Sequence, residues 1–355
     1  MRSIKILGSG PSGLSAAINL AKAGREVEVF ERGKGIGSRF YGDLEGLENW
    51  SDRKDARRML DSMNIEINFN FSPFHELTVS NGSRTVSFSL EKPAFYLVKR
   101  GSVSGSLDRG LEKQALDLGV DIHFGETIPE GEASIVATGP TPEKAIAIVK
   151  GSRFSTEMED TAVAVLGDRI AYKGYSYLLV RDGYGCMCSV VFDELEKVAA
   201  CFRRTKKIFS DLADLDIRNP QRVGGIGNFS AGGTFERDGR LYVGEAAGIQ
   251  DFLWGFGIKN AIISGFLAAK CLIENENYEK IAREYFEDKL KASLTNRFLW
   301  ETFCFKDYSF ILDVLGCTDD ITKLFFSFHN FNFLQRALYP FASNWLGGRY
   351  RNPIL

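Results

Sequence analysis

Ser3-Ile4-Lys5-Ile6-Leu7-Gly8-Ser9-Gly10-Pro11-Ser12-Gly13 opens the stretch that decides the fold, and Glu31 closes it. The apolar run 3–7 reads as a buried strand. It passes through three glycines into Leu14-Ser15-Ala16-Ala17-Ile18-Asn19-Leu20-Ala21-Lys22-Ala23, a helical pattern that Gly24 stops. A second strand, Glu26-Val27-Glu28-Val29-Phe30, then ends on the acid. Strand, helix and strand form a βαβ unit with G-x-G-x-x-G in its first turn.

Each residue of that turn has a physical task. Gly8 permits the tight change of direction, and Gly10 lets a diphosphate approach the backbone without meeting a Cβ. Gly13, with Ala17 one turn later, lets the helix lie close on the sheet. With Pro11 and Ser12 the turn forms a helix N-terminus that offers N–H groups and a positive dipole end to phosphate. Glu31 at the strand tip suits two ribose hydroxyls and repels a 2′-phosphate. This stretch is therefore expected to bind a dinucleotide.

Composition narrows the rest. The chain has 355 residues, with 44 Lys and Arg against 46 Asp and Glu, so no nucleic-acid partner is expected. Six cysteines (186, 188, 201, 271, 304, 317) lack C-x-x-C spacing, which fits reduced thiols. Three histidines (75, 123, 329) lie far apart, so no metal site is expected. The first strand starts at residue 3, and no long uncharged apolar run follows. The expectation is a cytoplasmic protein, with peripheral contact at the inner membrane face as the one membrane role.

Working outward, residues 32–42 form a glycine-studded loop suited to wrapping a ligand, with Arg32 and Arg39 as candidate contacts. Residues 52–63 read as a helix. Residues 74–99 alternate in strand fashion around Asn81-Gly82, a hairpin signal, and read as an antiparallel insertion. A helix over 104–118 and strands over 120–124 and 134–140 restore the α/β pattern. The latter ends in Ala137-Thr138-Gly139, at a carboxyl end where open α/β sheets bind ligands. Strands follow at 161–166, 175–180 and 186–192, then a helix over 193–213 whose Arg203-Arg204-Thr205-Lys206-Lys207 run reads as its solvated face. Leu241-Tyr242-Val243 leads into Gly244-Glu245-Ala246-Ala247-Gly248, then Gly255-Phe256-Gly257, then a long helix from Ile258. The tail from 276 is helical and rich in Phe.

In motif order, residues 1–275 resemble the flavoprotein superfamily of p-hydroxybenzoate-type hydroxylases and geranylgeranyl reductases. The resemblance implies a Rossmann-type FAD-binding domain (1–42, 95–145 and 235–275). It also implies an inserted antiparallel substrate domain (43–94 and 146–234) and a helical C-terminal region (276–355). The glycine turn would hold the ADP half of FAD, Gly244-Glu245 its ribityl and diphosphate region, and the amides of Gly255, Phe256, Gly257 and Ile258 the flavin's pyrimidine edge. Arg100 would lie near the cofactor. The reductase branch fits best. Its Tyr-x-Trp-x-Phe-Pro is matched by Tyr175-Ser176-Tyr177-Leu178-Leu179-Val180, and its Pro-x-x-Cys-Gly by Ser38-Arg39-Phe40-Tyr41-Gly42. Tyr177 replaces Trp, Tyr41 replaces Cys and Glu245 replaces Asp.

The resemblance implies hydride transfer to a carbon–carbon double bond of a polyprenyl lipid, with a proton from Tyr41, Tyr177 or water. Tyr175 and Tyr177 share a strand face and would wall an apolar cavity. No second βαβ fingerprint is present, so the reductant would be NAD(P)H visiting the same cleft or a protein electron donor. Two other readings stand beside this one: a flavin monooxygenase of a small aromatic, and a prenyl- or lipid-binding protein without redox chemistry.

Overall fold

The computed structural model describes residues 3–230, 232–303, 307–318 and 320–349. Cys304 lies outside them. The opening stretch folds as its pattern dictates: strands Ile4–Leu7 and Val27–Glu31 pair in parallel, with Ile6 opposite Val29, and helix α1 (Pro11–Lys22) joins them. They sit in a six-stranded sheet with Asp121–Phe124 on one side and Ile135–Val136, Arg240–Tyr242 and Glu236–Arg237 on the other. All its pairs are parallel except the last, a short antiparallel edge. Burial of Ile6, Val29 and Ile135 on both faces explains their continuous apolar runs.

Helix boundaries follow local chemistry. The expected helix 52–63 is α2 (Ala56–Ser62), because the Asp55 side chain caps it by accepting from Arg57 N–H. The expected 104–118 is α3 (Leu107–Asp117), capped by Ser106. The expected 193–213 contracts to α4 (Val198–Leu212) after a 3-10 turn, since Glu194 sits at φ 46°, a conformation no α-helix continues through. The run 203–207 is not uniformly solvated: Thr205 is buried, its hydroxyl 2.7 Å from those of Ser176 and Ser189. Leu212 is exposed at the helix end.

The insertion is a seven-stranded sheet in the order Arg218–Gly227, Ala147–Ser155, Tyr184–Val191, Tyr175–Arg181, Thr161–Leu166, Glu76–Ser80, Thr85–Ser89. It is antiparallel with one exception. Thr161–Leu166 pairs in parallel with Glu76–Ser80, so the early hairpin docks on the later meander the other way round. A further difference concerns Phe95–Gly101. That strand does not join the hairpin but forms a small sheet with Tyr41–Glu48 and Ser72–Phe74, between the two large ones in sequence and linked to both by packing.

Helix α4 covers the outer face of the seven-stranded sheet, with Phe202 and Phe209 against Leu178, Val180 and Met187. Helix α5 (Ile258–Glu274) crosses α1 so closely that a Cβ on Gly265 would lie 2.0 Å from the Ser12 carbonyl oxygen. The tail forms α6 (Tyr278–Phe303), α7 (Ser309–Gly316), α8 (Ile321–Phe328) and α9 (Phe333–Arg349), which lie over the inner face of that sheet. Among the described residues no helix is long and apolar enough to cross a membrane.

Candidate active site

The glycine turn is held by contacts that only glycine allows. At Gly8 (φ +107°) a Cβ would lie 2.3 Å from the Ala137 carbonyl oxygen, and at Gly13 it would lie 2.0 Å from that of Gly8. Gly10 differs: a Cβ there meets nothing within 4 Å, because the position faces open space. No side chain caps α1, so its first N–H groups are offered to that space. Glu31 fastens the turn. One carboxylate oxygen accepts from Ser9 N–H (3.0 Å) and Ser9 Oγ (2.8 Å), the other from Gly33 N–H (2.6 Å).

The late motif closes on the early one. A Cβ on Gly244 would lie 2.6 Å from Ser12 Oγ, and Gly244 N–H donates to Ser264 Oγ at 2.9 Å. Glu245 accepts from Asn228 N–H (3.1 Å) and has Arg39 Nη2 at 3.6 Å. Burial pushes its carboxyl up to about 7 despite that cation, since Arg39 is itself half-exposed and distant. Gly139 makes room for Arg39, whose Nη1 would be 3.4 Å from a Cβ there.

At the start of α5, Gly257 is the N-cap and no side chain caps the helix. The preceding loop is stapled by Asp251, whose carboxylate accepts from Trp254 N–H (2.7 Å) and Ser293 Oγ (2.8 Å). One expectation fails here. Gly255 N–H is spent on the Asp251 carbonyl at 2.8 Å, so any anion at this helix is left to the amides from Phe256 onward.

These segments line one cavity of about 1230 Å³. It runs from the glycine turn and Glu31, past Arg39, Thr138 and Glu245, to Phe256–Ile258, and on into an apolar chamber. The chamber lies between the inner face of the seven-stranded sheet and the C-terminal helices. Tyr175, Tyr177 and Leu179 project from the sheet, and Trp300, Phe310 and Phe325 stand among the residues opposite.

The candidate residues divide sharply. Gly8, Gly10, Pro11, Ser12, Glu31, Arg32, Arg39, Arg100, Ala137, Thr138, Gly139, Gly244, Glu245 and residues 255–258 all border the cavity, while Gly13 packs behind it. Arg100 is buried with three of its donors committed. Nε and Nη2 reach Asp108 (3.0 and 3.1 Å), and Nη1 reaches Glu45 (2.9 Å). Tyr41 stands apart: it is 59% exposed and off the cavity wall. A register shift between Tyr41 and Leu44 turns it outward and brings Asp43 to the lining, where burial lifts the carboxyl to about 6. Tyr175 and Tyr177 do share the chamber wall, 6.2 Å between ring centroids. The Tyr175 hydroxyl is committed to the Trp254 carbonyl oxygen. Burial raises the Tyr177 phenol well above its ordinary value, so it stays protonated at neutral pH. Cys186 and Cys188 sit 3.7 Å apart, sulfur to sulfur, and burial pushes the Cys188 thiol up, away from a reactive thiolate. Among the described residues no group of three or more His, Cys, Asp or Glu is placed to hold a metal ion.

This arrangement matches known folds over nearly its whole length. A structure of a geranylgeranyl bacteriochlorophyll reductase-like protein from Thermoplasma acidophilum superposes with a TM-score of 0.69, at 18% identity, covering 98% of each chain. The chain has the fold of the flavin-dependent oxidoreductases. A flavin-dependent brominase (TM-score 0.65, 14% identity, 99% of each chain) shares this flavoprotein fold. So does the p-nitrophenol 4-monooxygenase of Pseudomonas putida (0.59, 15% identity, 94% and 99%). A family profile described as an NAD(P)-binding Rossmann-like domain matches residues 6–45. Thiamine thiazole synthase of Pyrococcus abyssi is 31% identical over 112 residues, which are 29% of this chain and 44% of that protein. The chain thus spans less than half the length of the curated relatives it matches, and the likeness to them is partial.

Sequence reading missed several wall residues of this flavoprotein fold. Gln250 is one: its Nε2 donates to the Gly255 carbonyl (3.1 Å), while its Oε1 is buried without a partner among the described residues. Gly224, Gly225 and Gly227 form another stretch of wall, and the run Val223-Gly224-Gly225-Ile226-Gly227 was the signal for it. Behind the wall lies a buried ion cluster. Lys259, the second residue of α5, approaches Glu48 (3.2 Å) and Asp52 (3.1 Å), and Lys289 approaches Asp52 (2.8 Å). Burial alone would raise the Asp52 carboxyl, but the two ammonium groups hold it well below the usual range.

Proposed function

We propose that the chain is an FAD-dependent oxidoreductase that reduces carbon–carbon double bonds of a polyprenyl lipid. One observation carries this reading: a single cavity joins a diphosphate-shaped glycine turn to a long apolar chamber. Its volume of about 1230 Å³ exceeds the roughly 300–1,000 Å³ of an ordinary small-molecule site, which supports two occupants end to end.

The residues present fit FAD. Gly10 leaves room where a diphosphate would approach, and two helix N-termini on the cavity lack side-chain caps among the described residues. The glycine turn and Glu31 would hold the ADP half, Glu245 and Thr138 the middle, and the amides at 256–258 the ring's polar edge. Bound there, FAD would supply hydride transfer beside the chamber. The protein's part is to hold an unactivated alkene close and dry, since such a bond is a poor electrophile. Tyr177, which lines the chamber wall, would give a proton to the second alkene carbon. Tyr41 is too far out, and Tyr175 holds the 251–257 loop.

Purified protein is expected to be yellow, to release FAD on denaturation and to yield a bound isoprenoid by mass spectrometry. A colourless protein that refuses added FAD but retains lipid would leave a non-redox lipid carrier on this fold. A reductant of either kind, NAD(P)H or a protein donor, is compatible with the exposed Arg32 rim of the cavity.

A further inference from the structure

Nine large apolar side chains are markedly exposed among the described residues, and five of them fall late in the chain. They are Phe303 (51%), Phe310 (62%), Phe333 (87%), Leu334 (59%) and Phe341 (63%), contributed by α6, α7 and α9. Such clustering is unusual, because isolated exposed apolar residues need no explanation but a contiguous patch does. Phe303, Phe310 and Leu334 also line the cavity, so the patch is the rim where the apolar chamber reaches the surface. On α9, Leu334, Leu338 and Phe341 follow i, i+4, i+7 spacing and form one stripe that leads from the chamber outward.

We infer that this face docks on a lipid bilayer, with the rim phenylalanines inserted among the acyl chains. The opening is what selects a bilayer over a protein partner. A protein surface packed on the rim would close the chamber, whereas a membrane covers the same apolar area and stays continuous with the chamber's interior. The attachment is superficial, since no described helix can span. It is driven by apolar contact. Charges around the face carry both signs, with Lys323 paired to Asp320, Arg84 to Asp313 and Arg336 to Asp288, so anionic lipid is not required. Docking rests on the exposed face alone. That substrate enters through it rests on the reductase reading above.

The test is flotation of the full chain with vesicles of pure phosphatidylcholine, using neither cofactor nor turnover. Wild-type protein is expected to float with the vesicles. Raising salt to about 0.5 M is expected to change the bound fraction by less than about twofold. The double variant F333S/F341S alters two exposed residues off the cavity wall and is expected to keep its melting temperature while binding falls at least about tenfold. Wild-type protein left at the bottom of the gradient overturns the inference, as does a double variant that floats equally well. A vesicle-free dimer that the double variant abolishes, without flotation, would reassign the face to a second copy of this chain. Failure of any of these arms leaves FAD binding and alkene reduction untouched.

Discussion

The two ends of the cavity are built on opposite principles. At the diphosphate end the wall is backbone: Gly8, Gly139 and Gly244 take positive φ, Gly10 faces open space, and one carboxylate, Glu31, ties Ser9 to Gly33. At the far end the wall is side chain, with Trp300, Phe310 and Phe325 facing Tyr177 and Leu179. Positions such as Gly8 and Gly244, at positive φ and with a Cβ excluded, resist any side chain, so this end is fixed in shape. Side-chain walls can be recut without loss of the fold, and this explains how reductases, halogenases and monooxygenases can share one scaffold.

Lys259 lies in the buried ion cluster behind the cavity wall, and its loss is expected to have the largest effect. K259M would leave the buried Glu48 without its cation while Asp52 keeps Lys289, at a cost of about 3–5 kcal/mol in urea unfolding. A drop below about 1 kcal/mol would show that water reaches the cluster.

The polar end has a pH signature. Unfolded, the Glu245 carboxyl titrates near its ordinary value of 4.5, and folded it titrates at about 7. Between these values the folded state holds a proton that the unfolded chain has released, so stability falls as pH rises through that window. Cofactor-free E245Q is therefore expected to be about 3 kcal/mol more stable than wild type near about pH 8 and equal to it near about pH 4. A parallel pair of stability curves would contradict the buried placement.

G10V separates fold from ligand. Its Cβ points into open space, so melting should be unchanged while FAD affinity falls about 100-fold by titration calorimetry. Equal affinity would move the diphosphate elsewhere. At the apolar end Y177F is expected to lower kcat about 100-fold with FAD affinity intact. The smallest effect belongs to Y41F, which should leave kcat within about twofold because the ring is exposed and off the wall. A large loss there would mean that the loop 38–42 folds inward during turnover.

How much of this was legible in the sequence follows the same division. The tight turn at Gly8 and the close packing at Gly13 were readable because local sterics fix both within thirty residues. The Rossmann-type sheet and the Asn81-Gly82 hairpin were readable for the same reason. What depended on distant partners was not. Gly255 looked like a free amide until Asp251 folded back onto it. Tyr41 looked inward until a bulge shifted its strand. Thr205 sat inside a basic run, and only the Ser176 and Ser189 hydroxyls beneath it explain its burial. The tail's phenylalanines marked an apolar region, but periodicity alone did not say which of them face the sheet and which face outward.

The most direct measurement uses protein carrying FAD, reduced by dithionite without oxygen and then mixed with a geranylgeranyl lipid. The account predicts that the flavin absorbance returns in step with a product two hydrogens heavier per double bond reduced, and that Y177F slows this return. Flavin that stays reduced until oxygen is admitted, with a product that gains an oxygen atom, would contradict it.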